Sequence, residues 1–291
     1  MLKIKNLKIN KNSRPIIIPE IGINHKGSLE LAVKIVDAAK RAGAKIIKHQ
    51  THIPNDEMSE EAKKISPGNS KKNIFQIISN NSLNEEDEYK LLKYVESKNM
   101  IFISTPFSKL AVDRLVKFKV PAFKIGSGEM SNFPLLNYIC KFKKPLIVST
   151  GMHSLQEVEK TSRFLKNKNI NFALLHTTNL YPSKDHYLRL NSIIEMKKKF
   201  INIPIGLSDH TSDLLSSVIG ITLGAKIIEK HFVHTKEIKG PDVPASIDEK
   251  QLKKLIHISD RVFDQMKGKK EKIKAEQVTR NFAYSSVVSS K

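Results

Sequence analysis

This chain of 291 residues has a single cysteine, Cys140, and no tryptophan. One thiol excludes an internal disulfide and a cysteine-rich zinc site, and it fits a reducing, cytoplasmic setting. No stretch is long and apolar enough to span a bilayer. The opening MLKIKNLKIN alternates apolar and basic residues and lacks the apolar centre of a secretion signal. Acidic residues are scarce: 29 stand against 50 Lys and Arg, for a formal net charge of +21. A surplus of that size raises nucleic acid as a partner. The lysines, however, are spread through helical stretches, with only short runs at 197–199 and in GKKEKIK from Gly268, and no aromatics are interleaved among them. They read as solvated helix faces whose net field attracts anions, with no specific nucleic-acid partner and no membrane.

What is present is an alternation. Hydrophobic residues make up 40% of the chain, enough for a large core. Short β-branched runs alternate with amphipathic stretches, and the count reaches eight strand–helix units: IIIPEIG, AKIIKHQ, MIFIST, AFKIGS, KPLIVST, NFALLHT, IPIGLSDH and AKIIEKHF each precede a helix. Ser28 caps the first helix and Gly43 stops it. Strands that are apolar throughout, not alternating, are covered on both faces. The pattern predicts an α/β fold, a (β/α)8 TIM barrel over residues 15–267. Residues 3–10 and 15–18, turning around Asn12 and Ser13, predict an N-terminal hairpin that plugs one barrel end. Residues 51–84, with Pro54, Pro67 and Gly68, read as a long polar connection of the kind that forms a lid. After Met266 the pattern stops, and 268–291 read as a linker towards a further domain.

Such barrels carry their chemistry at the strand C-terminal ends, and six of these strands end on Glu20, Lys48, Thr105, Lys124, His210 and His231. Glu20 is a candidate general base or a support for a metal; the plainer alternative is a structural carboxylate paired with a barrel lysine. Lys48 and Lys124 lie among apolar residues and need a counter-charge, which a substrate phosphate or carboxylate supplies. Ser127, in the Gly126–Ser127–Gly128 turn, offers a hydroxyl beside close backbone amides, as suits a phosphate. Thr105 and Ser149 add donors, although hydroxyls at strand ends also cap helices. His210 and His231 end neighbouring strands and can share a divalent ion, leaving positions for water and substrate oxygens. Mixed N/O ligation favours Mn²⁺, with Mg²⁺, Co²⁺ or Zn²⁺ as alternatives. His25 alone reads as a hydrogen-bonded loop residue. Asp242 in GPDVPAS and Tyr181 in NLYP are candidate sugar contacts, or a turn cap and a packing residue.

The stretches PEIGINHKG, IKHQT, PGNSKKNIFQII, VPAFKIGSGEM, PLIVSTGM, LLHTTNLYP, IGLSDHT, EKHF and GPDVPAS occur in this order, and with them the chain resembles the N-acetylneuraminate (sialic acid) synthase family, which includes the legionaminate and pseudaminate synthases. The resemblance implies condensation of phosphoenolpyruvate with N-acetylmannosamine or a related acylamino sugar, yielding a nine-carbon α-keto acid and phosphate. It implies a divalent-metal pair at His210 and His231. Phosphoenolpyruvate contacts fall on Lys48, Thr105, Lys124, Ser127, Ser149 and Ser208, sugar contacts on Gln50, Tyr181 and Asp242, and the catalytic carboxylate on Glu20. It also implies a homodimer in which a C-terminal antifreeze-like domain reaches the partner's barrel and supplies an arginine to the sugar. This sequence stops at FAYSSVVSSK, about where that domain's linker begins. The expectation is therefore an incomplete sugar site and a weakened dimer, with three alternatives: a separate polypeptide supplies the domain, the chain is a truncated phosphoenolpyruvate-binding barrel with little or no turnover, or the barrel manages alone. A second departure is His49 in IKHQT, where an aromatic is more usual.

Overall fold

The structure, a computed structural model, describes residues 1–66 and 72–283. Strands β1 (Leu2–Ile4) and β2 (Leu7–Ile9) pair antiparallel, with Leu2 opposite Ile9. Eight strands follow: β3 (Ile16–Gly22), β4 (Ile46–Thr51), β5 (Ile101–Pro106), β6 (Phe123–Ile125), β7 (Leu146–Ser149), β8 (Phe172–Thr177), β9 (Ile205–Asp209) and β10 (Ile227–His231). All are parallel, bonded in chain order, and β10 closes on β3 to complete the barrel. Helix α1 (Leu29–Arg41) follows β3, and α2 (Pro54–Glu57), α3 (Glu60–Lys63), α4 (Ile74–Asn81) and α5 (Glu85–Ser97) follow β4. One helix follows each later strand in turn: α6 (Lys109–Lys117), α7 (Phe133–Cys140), α8 (Leu155–Asn167), α9 (Ser192–Lys199), α10 (Leu215–Thr222) and α11 (Glu249–Gln265). A short α12 (Gln277–Ala283) lies beyond. Among the described residues no helix is long and apolar enough to cross a membrane.

The (β/α)8 barrel matches the sequence pattern, and two details differ from it. The hairpin turns at Lys5 and Asn6, with Lys5 at φ 49°, and not at Asn12 and Ser13. The Asn10 side chain accepts from the Asn12 amide at 2.8 Å, a local turn that ends the second strand early. Residues from Ile16 onward join the barrel instead, where the Ile16 amide donates to Lys226 O at 3.0 Å. The connection over 51–84 is also not simply polar loop, because it carries α2, α3 and α4. Asn73 and Gln76 form a reciprocal capping box at the start of α4, and Ile77 and Ile78 pack on Ile23. Pro67, Gly68 and the tail from residue 284 lie outside the described residues.

Strand alternation divides the core into two layers. One set, including Ile17, Ile47, Phe102, Phe123, Val148, Leu174 and Ile228, faces the helices. The other, including Ile18, Ile46, Ile101, Ile103, Ala122, Ile147, Ala173 and Ile227, fills the barrel and is sealed by Leu2, Ile4 and Ile9 of the hairpin. Side chains two residues further along that inner set point into the same interior, nearer the C-terminal mouth.

One ion pair sits in the outer layer. Lys230 is fully buried and its Nζ lies 3.1 Å from Asp209 Oδ2. Lys230 also donates to Thr211 Oγ1 at 2.9 Å, while Asp209 accepts from Thr211 Oγ1 at 2.8 Å and Ser217 Oγ at 2.5 Å. The pair ties β9 to β10, the strands that end at His210 and His231. Replacing Lys230 by Met strands a buried carboxylate, which should cost about 3–5 kcal/mol. Urea unfolding of Lys230→Met measures this, and a loss under ~1 kcal/mol would contradict the pair's role.

Candidate active site

Two residues beyond the apolar inner layer, the same strand faces become polar. Ile18 is followed by Glu20, Ile46 by Lys48, Ala122 by Lys124, Ile147 by Ser149 and Ile227 by Glu229. All five polar groups are buried. Parallel register sets His231 opposite Glu20, Glu20 opposite Lys48, and Glu229 opposite Ser208.

Glu229 is the residue that sequence reasoning missed. Its Oε1 lies 3.6 Å from both Lys48 Nζ and Lys124 Nζ, and it accepts from Ser208 Oγ at 2.9 Å. At 3.6 Å it neutralises both ammonium groups without accepting a hydrogen bond from either. Lys124 instead donates to Ser149 Oγ at 2.7 Å and to Ile125 O at 3.1 Å. Lys48 donates weakly to Thr105 Oγ1 at 3.4 Å and pairs with Glu20. The plainer reading of Glu20, a partner for a barrel lysine, therefore holds in the structure through Oε2, while its Oε1 is buried without a hydrogen-bond donor. Burial pushes the Lys48 ammonium down to about 7, against the pull of Glu229. It lowers Lys124 for the same reason. Burial raises the Glu229 carboxyl, but Lys124 and Lys48 more than reverse this and hold it below its ordinary value. The signal for Glu229 was present: Glu229 and His231 are two apart in EKH, so one face carries both.

Nearer the mouth stand Gln50, Ser127, Asn179, Tyr181, His210, His231 and Asp242. The Gly151 amide donates to Ser127 Oγ at 3.0 Å. A Cβ at Gly151 would meet Asn179 Oδ1 at 2.4 Å and Ser127 Oγ at 2.9 Å, so only glycine allows this approach. Asn179 Oδ1 is buried without a hydrogen bond, another polar group that sequence reasoning passed over within TTNLYP. The rings of His210 and His231 are 5.4 Å apart, and the Tyr181 ring stacks on His210 at 4.1 Å. Gln50, Tyr181, His231 and Asp242 share a cavity of about 1000 Å³. Ile23, Met58, Ile74, Ile77, Ile78 and Phe107 also line it.

The two imidazoles have the character of metal donors. Burial lowers both, so both are neutral. His210 Nδ1 lies 2.7 Å from Thr178 O and donates to it, so Nε2 carries a lone pair; Ser208 Oγ is 3.4 Å from that nitrogen but gives its proton to Glu229 at 2.9 Å. His231 Nδ1 is buried with no hydrogen-bond partner, 3.6 Å from Asp242 Oδ2. Among the described residues no cluster of three or more His, Cys, Asp or Glu side chains has ligand geometry. A cation here would rest on two protein nitrogens plus water or substrate oxygens.

The description of the NeuB family matches residues 35–272, and the chain belongs to that family. It is similar to the N,N'-diacetyllegionaminic acid synthase of Campylobacter jejuni, at 35% identity over 286 residues, 96% of this chain and 85% of that protein. The N-acetylneuraminate-9-phosphate synthase of Homo sapiens is 34% identical over 244 residues, covering 82% of this chain and 68% of its own length. The crystal structure of N-acetylneuraminic acid synthetase from Leptospira borgpetersenii, in complex with citrate, superposes with a TM-score of 0.88 at 29% identity, covering 98% of this chain and 96% of that one. The chain is thus an enzyme of the sialic-acid synthase family.

Glu229→Gln leaves two buried lysines with Glu20 alone. We expect the ligand-free variant to lose about 3 kcal/mol of stability, and phosphoenolpyruvate to raise its melting temperature more than that of the wild type, since the ligand then supplies the missing charge. Equal ligand-induced shifts in a thermal melt would contradict the counter-ion role.

Proposed function

We propose that the chain condenses phosphoenolpyruvate with N-acetylmannosamine, or a related 2-acetamido sugar, to a nine-carbon α-keto acid with release of phosphate. The observation that carries this reading is the pair of buried lysines, each 3.6 Å from one shared carboxylate. Lys48 donates to the Thr105 hydroxyl, Lys124 donates to that of Ser149, and Ser208 donates to the shared Glu229 carboxylate. Such a site holds a small polyanion whose charge increases on leaving.

Lys48 and Lys124 bind the phosphate and carboxylate of phosphoenolpyruvate, and the hydroxyls of Thr105, Ser127, Ser149 and Ser208 orient them. Gln50, Tyr181 and Asp242 hold the sugar so that its aldehyde carbon meets the enol carbon. As the carbon–carbon bond forms, positive charge develops at the carbon bearing the phosphate. Water adds there, positioned and deprotonated by Glu20, and that proton passes to the former aldehyde oxygen, which becomes a hydroxyl. The hemiketal phosphate collapses, and the lysines stabilise the departing phosphate. His210 and His231 are the residues that would hold a divalent cation, Mn²⁺ first and Mg²⁺ or Co²⁺ as alternatives. When bound, such an ion supplies Lewis-acid polarisation of the aldehyde.

A legionaminate- or pseudaminate-type substrate is the second reading. The apolar cavity wall of Ile23, Met58, Ile74, Ile77 and Ile78 favours it, because acyl methyls and a deoxy methyl bury well there. So does the similarity to the C. jejuni synthase.

The test is phosphate release from phosphoenolpyruvate with Mn²⁺, offering N-acetylmannosamine and 2,4-diacetamido-dideoxy sugars in turn. We expect sugar-dependent release that EDTA abolishes, with the better sugar naming the branch. Glu20→Gln should lower kcat at least 100-fold while phosphoenolpyruvate still binds. Intact phosphoenolpyruvate binding with no release for any sugar would instead describe a barrel that binds without turnover.

A further inference from the structure

His49 belongs to a second buried polar cluster, outside the barrel wall, that the site above does not use. It lies between Lys48 and Gln50 on β4, but alternation turns its ring outward onto Phe102, with centroids 5.7 Å apart. Its Nε2 is 3.2 Å from His25 Nε2. Its Nδ1 is 3.3 Å from Glu88 Oε1 on α5 and 3.4 Å from Ser104 Oγ on β5. Glu88 is held in turn by Thr51 Oγ1 and, at 3.1 Å, by Arg114 Nη1 on α6. His25, His49, Thr51, Glu88 and Ser104 are all buried.

The direction of these hydrogen bonds follows from the ends of the chain of contacts. The Gly27 amide donates to His25 Nδ1 at 3.2 Å, so a neutral His25 carries its proton on Nε2. Burial, with His49 and His52 nearby, keeps His25 well below its ordinary range and therefore neutral. Its Nε2 proton goes to His49 Nε2, and the His49 Nδ1 proton then points at Glu88. The ring centroids are 5.2 Å apart with planes 23° apart. Every polar position on the two rings is used.

Register connects this cluster to the mouth. Between β3 and β4 the pairing slips, so that Glu20 faces Lys48 and Gly22 faces His49. Gly22 has φ +44°, and a Cβ there would lie 3.1 Å from Glu20 Oε1 and 3.1 Å from Asp242 Oδ2. The bulged backbone is thus packed against two carboxylates of the candidate site. The loop that follows it is anchored by the bond from His25 to His49. Its other ties include Asn24 Nδ2 to Phe232 O at 3.1 Å and Gly27 N to Asn81 O at 3.1 Å.

We infer that His49 is a positioning residue: through its hydrogen bond to His25 it fixes residues 22–27, and with them the placement of the Glu20 and Asp242 carboxylates at the barrel mouth. Lys124 and Glu229 lie on the opposite face of the wall, make no contact with Glu20 and do not depend on it. Glu88, on this account, orients the His49 ring from behind.

The kinetic half of the test rests on the proposed condensation. His49→Phe keeps an aromatic ring on Phe102 and removes both hydrogen bonds. We expect kcat to fall about 10- to 100-fold, as for a small misplacement of catalytic groups, while KM for phosphoenolpyruvate stays within about twofold. His25→Ala should lower kcat comparably, and the double variant should be little worse than either single one, because both act through one bond. Wild-type kcat in His49→Phe, or losses that multiply in the double variant, would overturn the inference. Hydrogen exchange supplies a readout that needs no turnover. Amides of residues 22–28 should exchange faster in His49→Phe than in the wild type, and those of β6 and β7 should not. Unchanged protection at 22–28 overturns the positioning role. A wild type without turnover, but with the loop loosened in the variant, supports positioning and counts only against the proposed reaction.

Discussion

Two ammonium groups in the dry middle of a barrel are the constraint around which this molecule is arranged. Neither Lys48 nor Lys124 can be charged there without compensation, and Glu229 and Glu20 provide it. The compensation is incomplete by design of geometry: Glu229 stands too far from either nitrogen to accept a hydrogen bond, and Lys48 is held near neutrality by burial. Lys124 donates to Ser149 Oγ and Ile125 O, and Lys48 pairs with Glu20, so an incoming polyanion takes over ammonium groups that no strong hydrogen bond to Glu229 holds. The hairpin of β1 and β2, the apolar inner layer and the closed strand order all keep water away from the other end of that cluster.

The same alternation that builds the inner cluster sends alternate polar residues outward. In EKH, Glu229 and His231 enter the barrel while Lys230 leaves it to pair with Asp209. In IKHQT, Lys48 and Gln50 enter while His49 leaves it to meet His25 and Glu88. A strand that appears to crowd polar groups at one end is therefore supplying two sites, one on each face of the wall. The outer groups hold the strands and loops; of the inner ones, Gln50 and His231 line the cavity and Lys48 and Glu229 lie deeper in the barrel.

The barrel was legible because its strands are apolar on both faces and its helices carry caps and stops at the expected places, Ser28 and Gly43 among them. The polar strand ends marked the mouth correctly. Sequence reasoning failed where parity mattered. Glu229 was passed over because it precedes a conspicuous His231, although period two puts both on one face. Asn179 gave no signal, since its proximity to Gly151 and Ser127 depends on the close approach of two loops. The hairpin turn was misplaced because Asn12 and Ser13 resemble a strand-connecting turn, whereas the Asn10 side chain makes it a local one. Helix α4 was hidden in a segment judged by its prolines, and its capping box at Asn73 and Gln76 was the overlooked cue.

If Lys48 is held near neutrality until a substrate anion arrives, binding must bring a proton with it. Below about pH 7 Lys48 is already charged; above it the Lys48 amine of the free site is largely neutral, and an anion pulls the group back towards its ordinary range. Calorimetric titration of phosphoenolpyruvate at pH 8, repeated in buffers of different ionisation enthalpy, counts that proton. We expect uptake approaching about one proton per site, abolished in Lys48→Met. Tight binding at pH 8 with no dependence on the buffer would contradict it.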